Sequence, residues 1–177
     1  MHWSLVWAAM PLLHTTAYHA TKYVLMPFMI KTGLPVVKNV IANVVGETLG
    51  DKELTISAAA VGLLMTLFTY YPYLLMKYKV DNANPRASSD RVASRLYAAH
   101  QNAVEAFPRL VSALCSVAYL NGGRSSDAAI AALAWLWCSC RIMHWAMYVL
   151  NIPHMRTAFF LLGFHSTLRI FISVLFG

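Results

Sequence analysis

The chain consists of long apolar runs separated by short polar ones. Leu54 to Met76 is the plainest run: 23 residues without a charged side chain, closed by Lys77 and Lys79. A helix needs about 20 mostly apolar residues to cross a bilayer, so this run predicts a membrane span. Three similar runs lie beyond it, and the pattern predicts spans at 54–76, 96–120, 128–150 and 157–176. Between the first two, Val80-Asp81-Asn82-Ala83-Asn84-Pro85-Arg86 reads as a loop from its Asn, Asp and Pro content. Asn121-Gly122-Gly123-Arg124 joins the second span to the third, and Asn151-Ile152-Pro153 joins the third to the fourth. Connections this short predict antiparallel neighbours. The expected fold is all-α, a transmembrane four-helix bundle over residues 53–177.

Residues 1–52 have a different pattern. Trp3 to Leu13 is apolar but short, and no Lys or Arg precedes it, which argues against a signal peptide. Lys22, Lys31, Lys38, Pro27 and Pro35 interrupt the stretch after it. This segment predicts an apolar and basic extension of short helices, lying at the membrane surface or packed on a partner.

Composition supports a bilayer environment. Of the 177 residues, 59% are hydrophobic and 12% charged, against about 25% charge in soluble domains. The formal net charge of +7 does not point to nucleic acid, because the basic residues sit beside apolar runs and leave no soluble basic face. The first loop holds Lys77, Lys79, Arg86, Arg91 and Arg95, and the third holds His154 and Arg156. Lys52 and Arg124 lie on the other side with Glu47, Asp51, Glu53 and Asp127. The positive-inside rule places loops one and three on the cytoplasmic or equivalent side. Cys115, Cys138 and Cys140 all fall in spans and read as buried, unpaired thiols. No three candidate ligands have zinc spacing, so no metal site is expected.

Ionisable groups within spans are costly and usually functional. Arg95, Asn102 and Arg109 are seven apart and share one stripe of the second span, with Glu105 beside it and His100 directed elsewhere. Pro108 should kink this helix. Arg141, His144 and Tyr148 form a second stripe on the third span, and Arg156 opens the fourth. One reading is an interhelical polar network in which Arg109 or Arg141 neutralises Glu105. The other is a site for an anionic ligand, because Arg outnumbers carboxylate. Trp135, Trp137 and Trp145 read as packing or interface residues. His165 and Arg169, one turn apart, are expected to meet headgroups or a neighbouring subunit.

The stretch Arg95-Leu-Tyr-Ala-Ala-His100-Gln-Asn102-Ala-Val-Glu105-Ala-Phe-Pro108 resembles the second-helix signature of the MAPEG family, the membrane-associated proteins of eicosanoid and glutathione metabolism. Asn84-Pro85-Arg86 is similar to that family's first loop. Arg141-Ile-Met-His144-Trp-Ala-Met-Tyr148, followed by Pro153 and Arg156-Thr157, is similar to its third helix and the start of its fourth. The form of the motif is nearest to short bacterial-type members. The resemblance implies a homotrimer in membrane lipid, with glutathione bound between protomers. Asn102 and Glu105 would hold its backbone, Tyr148 and His144 would line the site with Arg95 and Arg141, and Arg156 would stand by the sulfur as the catalytic cation. Ala98 occupies a position where the family's enzymes usually carry Arg.

Two functions follow as expectations. One is an integral membrane glutathione-dependent transferase or peroxidase acting on lipophilic electrophiles. The other is a non-catalytic, MAPEG-derived accessory subunit of a larger organellar membrane complex, suggested by the extension and by Ala98. The resemblance implies the endoplasmic reticulum or a bacterial inner membrane; the accessory reading implies the mitochondrial inner membrane.

Overall fold

The computed structural model describes residue 12 and residues 14–45, 49–75, 91–120 and 127–176. Five long helices account for nearly all of these, and no strand occurs among the described residues. Helix α1 runs His14–Asn43 and stays helical to Val45. It is followed by α2 (Asp51–Leu75), α3 (Arg91–Leu120), α4 (Asp127–Val149) and α5 (Pro153–Phe176). The last four lie where the four helices were expected, with α3 starting earlier, at Arg91; α4 is not among the helices apolar enough to cross a membrane, and α1, expected only as an extension, is. Helices α1, α2, α3 and α5 are each long and apolar enough to cross a membrane. The protein is therefore a multi-pass membrane protein.

Helix α4 is the axis of the bundle and touches all four others. Its first half is rich in alanine, and Ala131, Ala132 and Ala134 have no exposed surface. Small residues let helices approach closely where lipid supplies no hydrophobic drive for association. Specific contacts then fix its rotation. The Trp135 indole N–H donates to the Leu54 carbonyl at 3.1 Å, and the Cys138 thiol donates to the Ala58 carbonyl at 3.3 Å. Gly62 of α2 faces Phe107 and Trp137, and a Cβ there would lie 3.1 Å from each ring. The outer face of α2 presents Ile56, Leu63, Leu67 and Phe68 to the lipid.

The extension differs from the expected short helices. It forms one helical run that packs on α5 and then on α4 of its own chain. Two π-helical stretches, Ala20–Leu25 and Met29–Gly33, lead up to Pro27 and Pro35. A proline ring clashes with the carbonyl four residues earlier, and a widened turn accommodates it without ending the helix. The 52/53 boundary also falls inside the first turn of α2, where Asp51 and Glu53 face the positive end of the helix dipole.

Three smaller readings change. Arg91 and Arg95 belong to α3, not to a loop. Arg156 and His154 lie in the first turn of α5. Cys115 is exposed on the bundle surface, whereas Cys138 and Cys140 are buried; all three are free. Lys77, Lys79, the stretch from Val80 to Arg86, and Asn121 to Arg124, which carry the first and second loops, lie outside the described residues.

Candidate functional site

The site depends on how the chain turns from α4 into α5. Asn151 adopts a left-handed conformation with φ 58°. Its N–H donates to the Tyr148 carbonyl at 3.3 Å, and the Ile152 N–H donates to the Met147 carbonyl at 3.0 Å. This is the paired 5→2 and 6→1 pattern of a Schellman cap, with asparagine at the position glycine usually fills. Pro153 follows as the first residue of α5, where its missing N–H costs nothing. The resulting tight hairpin folds the first turn of α5 back over the last turn of α4. It sets the Arg156 guanidinium 4.4 Å from the centre of the Tyr148 ring.

Helix α3 closes the other side. Asn102 donates from Nδ2 to the Tyr148 hydroxyl oxygen at 2.9 Å and to the Ala98 carbonyl at 2.8 Å. One turn back on α4, the His144 ring meets the Tyr148 ring edge-on at 5.1 Å and lies 6.1 Å from Phe160. The guanidiniums of Arg109 and Arg141 both flank Phe160, at 5.9 and 5.4 Å from its centre. The seam between α3, α4 and α5 thus carries Asn102, Tyr148, His144 and Arg156 at one level and Arg109 and Arg141 around Phe160.

Charge at this seam is unbalanced. Arg141 is only 4% exposed, and its Nε and Nη1 have no hydrogen-bond partner among the described residues. Glu105 is exposed on α3. Among the described residues the ion pairs are Lys38–Asp51 at 2.8 Å and Lys52–Asp127 at 4.0 Å. The expectation that Arg109 or Arg141 neutralises Glu105 therefore fails. The spacing along α3 permitted the pairing, but the Arg109 and Arg141 guanidiniums lie on the Phe160 ring. The result is a buried cation with unused donors, which suits an oxyanion.

The structure brings four of the seven expected residues, Asn102, Tyr148, His144 and Arg156, into direct contact, and Arg141 joins them through Phe160. Among the described residues no hydrogen bond or ion pair joins Glu105 or Arg95 to this group. Arg95 is partly buried, with its Nε unpartnered among the described residues. His100 turns away, as its position implied: Nδ1 lies 3.3 Å from the Thr69 hydroxyl, and the ring packs on Tyr70.

Phe160 and Gly163 were not legible in the sequence as site residues. Each lies in an apolar run where nothing distinguishes it. Gly163 lies against Arg141, and a Cβ there would sit 3.4 Å from Arg141 Nε, an ordinary contact. A separate apolar cavity of about 270 Å³ lies between α2 and α4, lined by Met65, Phe68, Thr69, Pro72, Ile142 and Trp145. It contains none of the seam residues.

Comparison with known proteins gives one match. A family model described as the MAPEG family covers residues 54–176, which spans α2 to α5 and leaves α1 outside. No curated protein and no solved structure matches the chain.

Proposed function

The chain belongs to the MAPEG family, and on that premise we propose that it is a glutathione-dependent transferase or peroxidase acting on lipophilic electrophiles within the membrane. The observation that supports this best is the Arg156–Tyr148–Asn102 contact beside the unpaired Arg141. Glutathione carries two carboxylates, one ammonium and one thiol. The seam offers Arg109, Arg141 and Arg156, and the exposed Glu105 on α3 offers a single carboxylate, a complementary charge pattern.

In this reading Glu105 takes the ammonium, and Arg141 and Arg109 take carboxylate oxygens. Glutathione supplies a thiol whose thiolate is the nucleophile. Arg156 favours that thiolate electrostatically. Tyr148 already accepts a hydrogen bond from Asn102, so its own O–H is left to donate toward sulfur. Glu105, Arg109 and Ser112 form an exposed i, i+4, i+7 stripe on a spanning helix. Polar groups in such a place face a second chain rather than lipid, which supports a homotrimer with the site completed between protomers.

The test is conjugation of a generic aryl electrophile by the purified protein. Wild type should turn over, and Arg156→Ala should fold and lose activity. Equal activity in the variant would show that Arg156 does not act on the thiol.

A second reading, an accessory subunit of a larger membrane assembly, rests on α1, which lies outside the family match yet packs along α5 and α4. Gentle extraction and sizing separates the two. Three copies alone support the enzyme, and co-purification with a fixed set of other chains supports the accessory role.

A further inference from the structure

Helices α1 and α5 meet through a polar cluster that the proposed chemistry does not use. His14 Nδ1 lies 3.2 Å from His165 Nε2, and Arg169 Nη1 donates to the Tyr18 hydroxyl at 3.1 Å. A step of four residues on α1 matches a step of four on α5, so the two helices run parallel along this contact. Aromatic rings flank the cluster. Phe164 packs on His165 at 5.6 Å, and the Arg169 guanidinium lies 5.5 Å from the Tyr18 ring.

Two nitrogen atoms in this cluster are buried without a hydrogen-bond partner among the described residues: His165 Nδ1 and Arg169 Nε. His165 itself is only 4% exposed. No carboxylate among the described residues pairs with Arg169. The chain has no Asp or Glu before Glu47, and α5 contains none. Asp127 of α4 is engaged by Lys52, and Asp51 of α2 by Lys38. An unbalanced cation inside a bilayer is expensive, so such a residue usually finds a counter-ion.

The depth of the cluster narrows what that ion is. Arg169 lies seven residues before Phe176, about 10 Å from the end of α5 at 1.5 Å per residue. That is within reach of the headgroup layer for a long basic side chain. Lys22, one turn beyond Tyr18 on α1, places its ammonium 4.8 Å from the Tyr23 ring and brings a second cation to the same stretch of α1. Tyr18 accepts from Arg169, so its O–H is free to donate outward.

We propose that the α1–α5 junction is a binding site for a phosphate group, held by Arg169 and Tyr18 with Lys22 at its rim, and that the headgroup of an anionic phospholipid supplies it. The bound lipid would fasten the extension to the family bundle. This site is separate from the α3–α4–α5 seam and does not depend on glutathione chemistry.

The full-length chain in mild nonionic detergent is titrated with phosphatidylglycerol, with phosphatidylcholine as control, and separately with inorganic phosphate. The thermal unfolding midpoint is followed, and native mass spectrometry counts bound lipid. Phosphatidylglycerol should raise the midpoint of the wild type. Arg169→Gln should need about tenfold more lipid for the same shift, as expected for loss of one charge-assisted hydrogen bond. Tyr18→Phe, which keeps the ring and removes only the hydroxyl, should need about threefold more. If Arg169→Gln does not fold, Tyr18→Phe decides. A lipid effect without a phosphate effect supports the headgroup as the source; a full effect of inorganic phosphate overturns that source in favour of soluble phosphate. An equal response to phosphatidylcholine, or a Tyr18→Phe titration identical to wild type, overturns the proposal.

Discussion

Asn102 and Tyr148 come together across 46 residues of sequence through one hydrogen bond of 2.9 Å, and its direction is set by a third group. The Ala98 carbonyl can only accept, and it takes a hydrogen bond from the same Asn102 nitrogen at 2.8 Å. The amide must therefore turn its NH2 toward both acceptors. This makes the Tyr148 oxygen an acceptor from Asn102 and leaves the tyrosine proton free for a ligand.

Replacing Asn102 with Asp reverses that polarity. The carboxylate would accept the tyrosine proton, and the Ala98 carbonyl would lose the side-chain hydrogen bond it receives beside its helical one. Losing one buried donor of this kind costs about 1–3 kcal/mol. The expected outcome is a fall in kcat/KM for glutathione conjugation of about tenfold or more, with helicity unchanged. Steady-state kinetics on the variant checks it, and full activity would show that tyrosine polarity is irrelevant.

Arg156 lies against the Tyr148 ring. Without that cation, bound glutathione should hold its thiol proton more tightly. For Arg156→Ala the pH profile of any residual conjugation should move up by about one unit, equivalent to ~1.4 kcal/mol. A structural role alone would lower the rate at every pH and leave the midpoint in place, so the position of the profile separates the two.

Arg141 carries a buried charge with unused donors. Exchanging an uncompensated buried ion for an apolar side chain of similar length often stabilises a protein by about 1–4 kcal/mol. Arg141→Met should therefore raise the thermal midpoint in detergent while weakening glutathione binding about tenfold. The two measurements should move in opposite directions. A variant that loses stability would show that the guanidinium is satisfied in the free protein.

Two glycines should respond differently to alanine. At Gly62 the new methyl would meet Phe107 and Trp137 at 3.1 Å, two rings held in the core. At Gly163 its nearest neighbour would be Arg141 Nε at 3.4 Å, an ordinary contact. Gly62→Ala should cost about 1–3 kcal/mol through overpacking, and Gly163→Ala should be near neutral. Paired thermal unfolding curves provide the check.

The four helices from α2 to α5 were readable because a bilayer demands helices of set length, and that demand appears directly as the length of apolar runs. Asn102, His144, Tyr148 and Arg156 were readable because polar residues in such runs stand out, and helical periodicity assigned three of them to stripes. The fate of Glu105 was not readable. Sequence spacing shows which groups can meet, but whether Arg109 turns to Glu105 or to Phe160 depends on where α5 lies.

The sequence by itself determined that this chain is a helical membrane protein, where its family helices run, and which polar residues they carry, since each follows from local composition and period. The tertiary structure decided the rest. It made the extension one helical run packed on α5 and then on α4, and it joined His14 to His165 across 151 positions. It also placed Arg156 on Tyr148 and left Arg141 without a carboxylate among the described residues. Such pairings depend on the rotation and offset of one helix against another. They arise from the packing of small and large side chains around α4, and no pattern along a single helix records them.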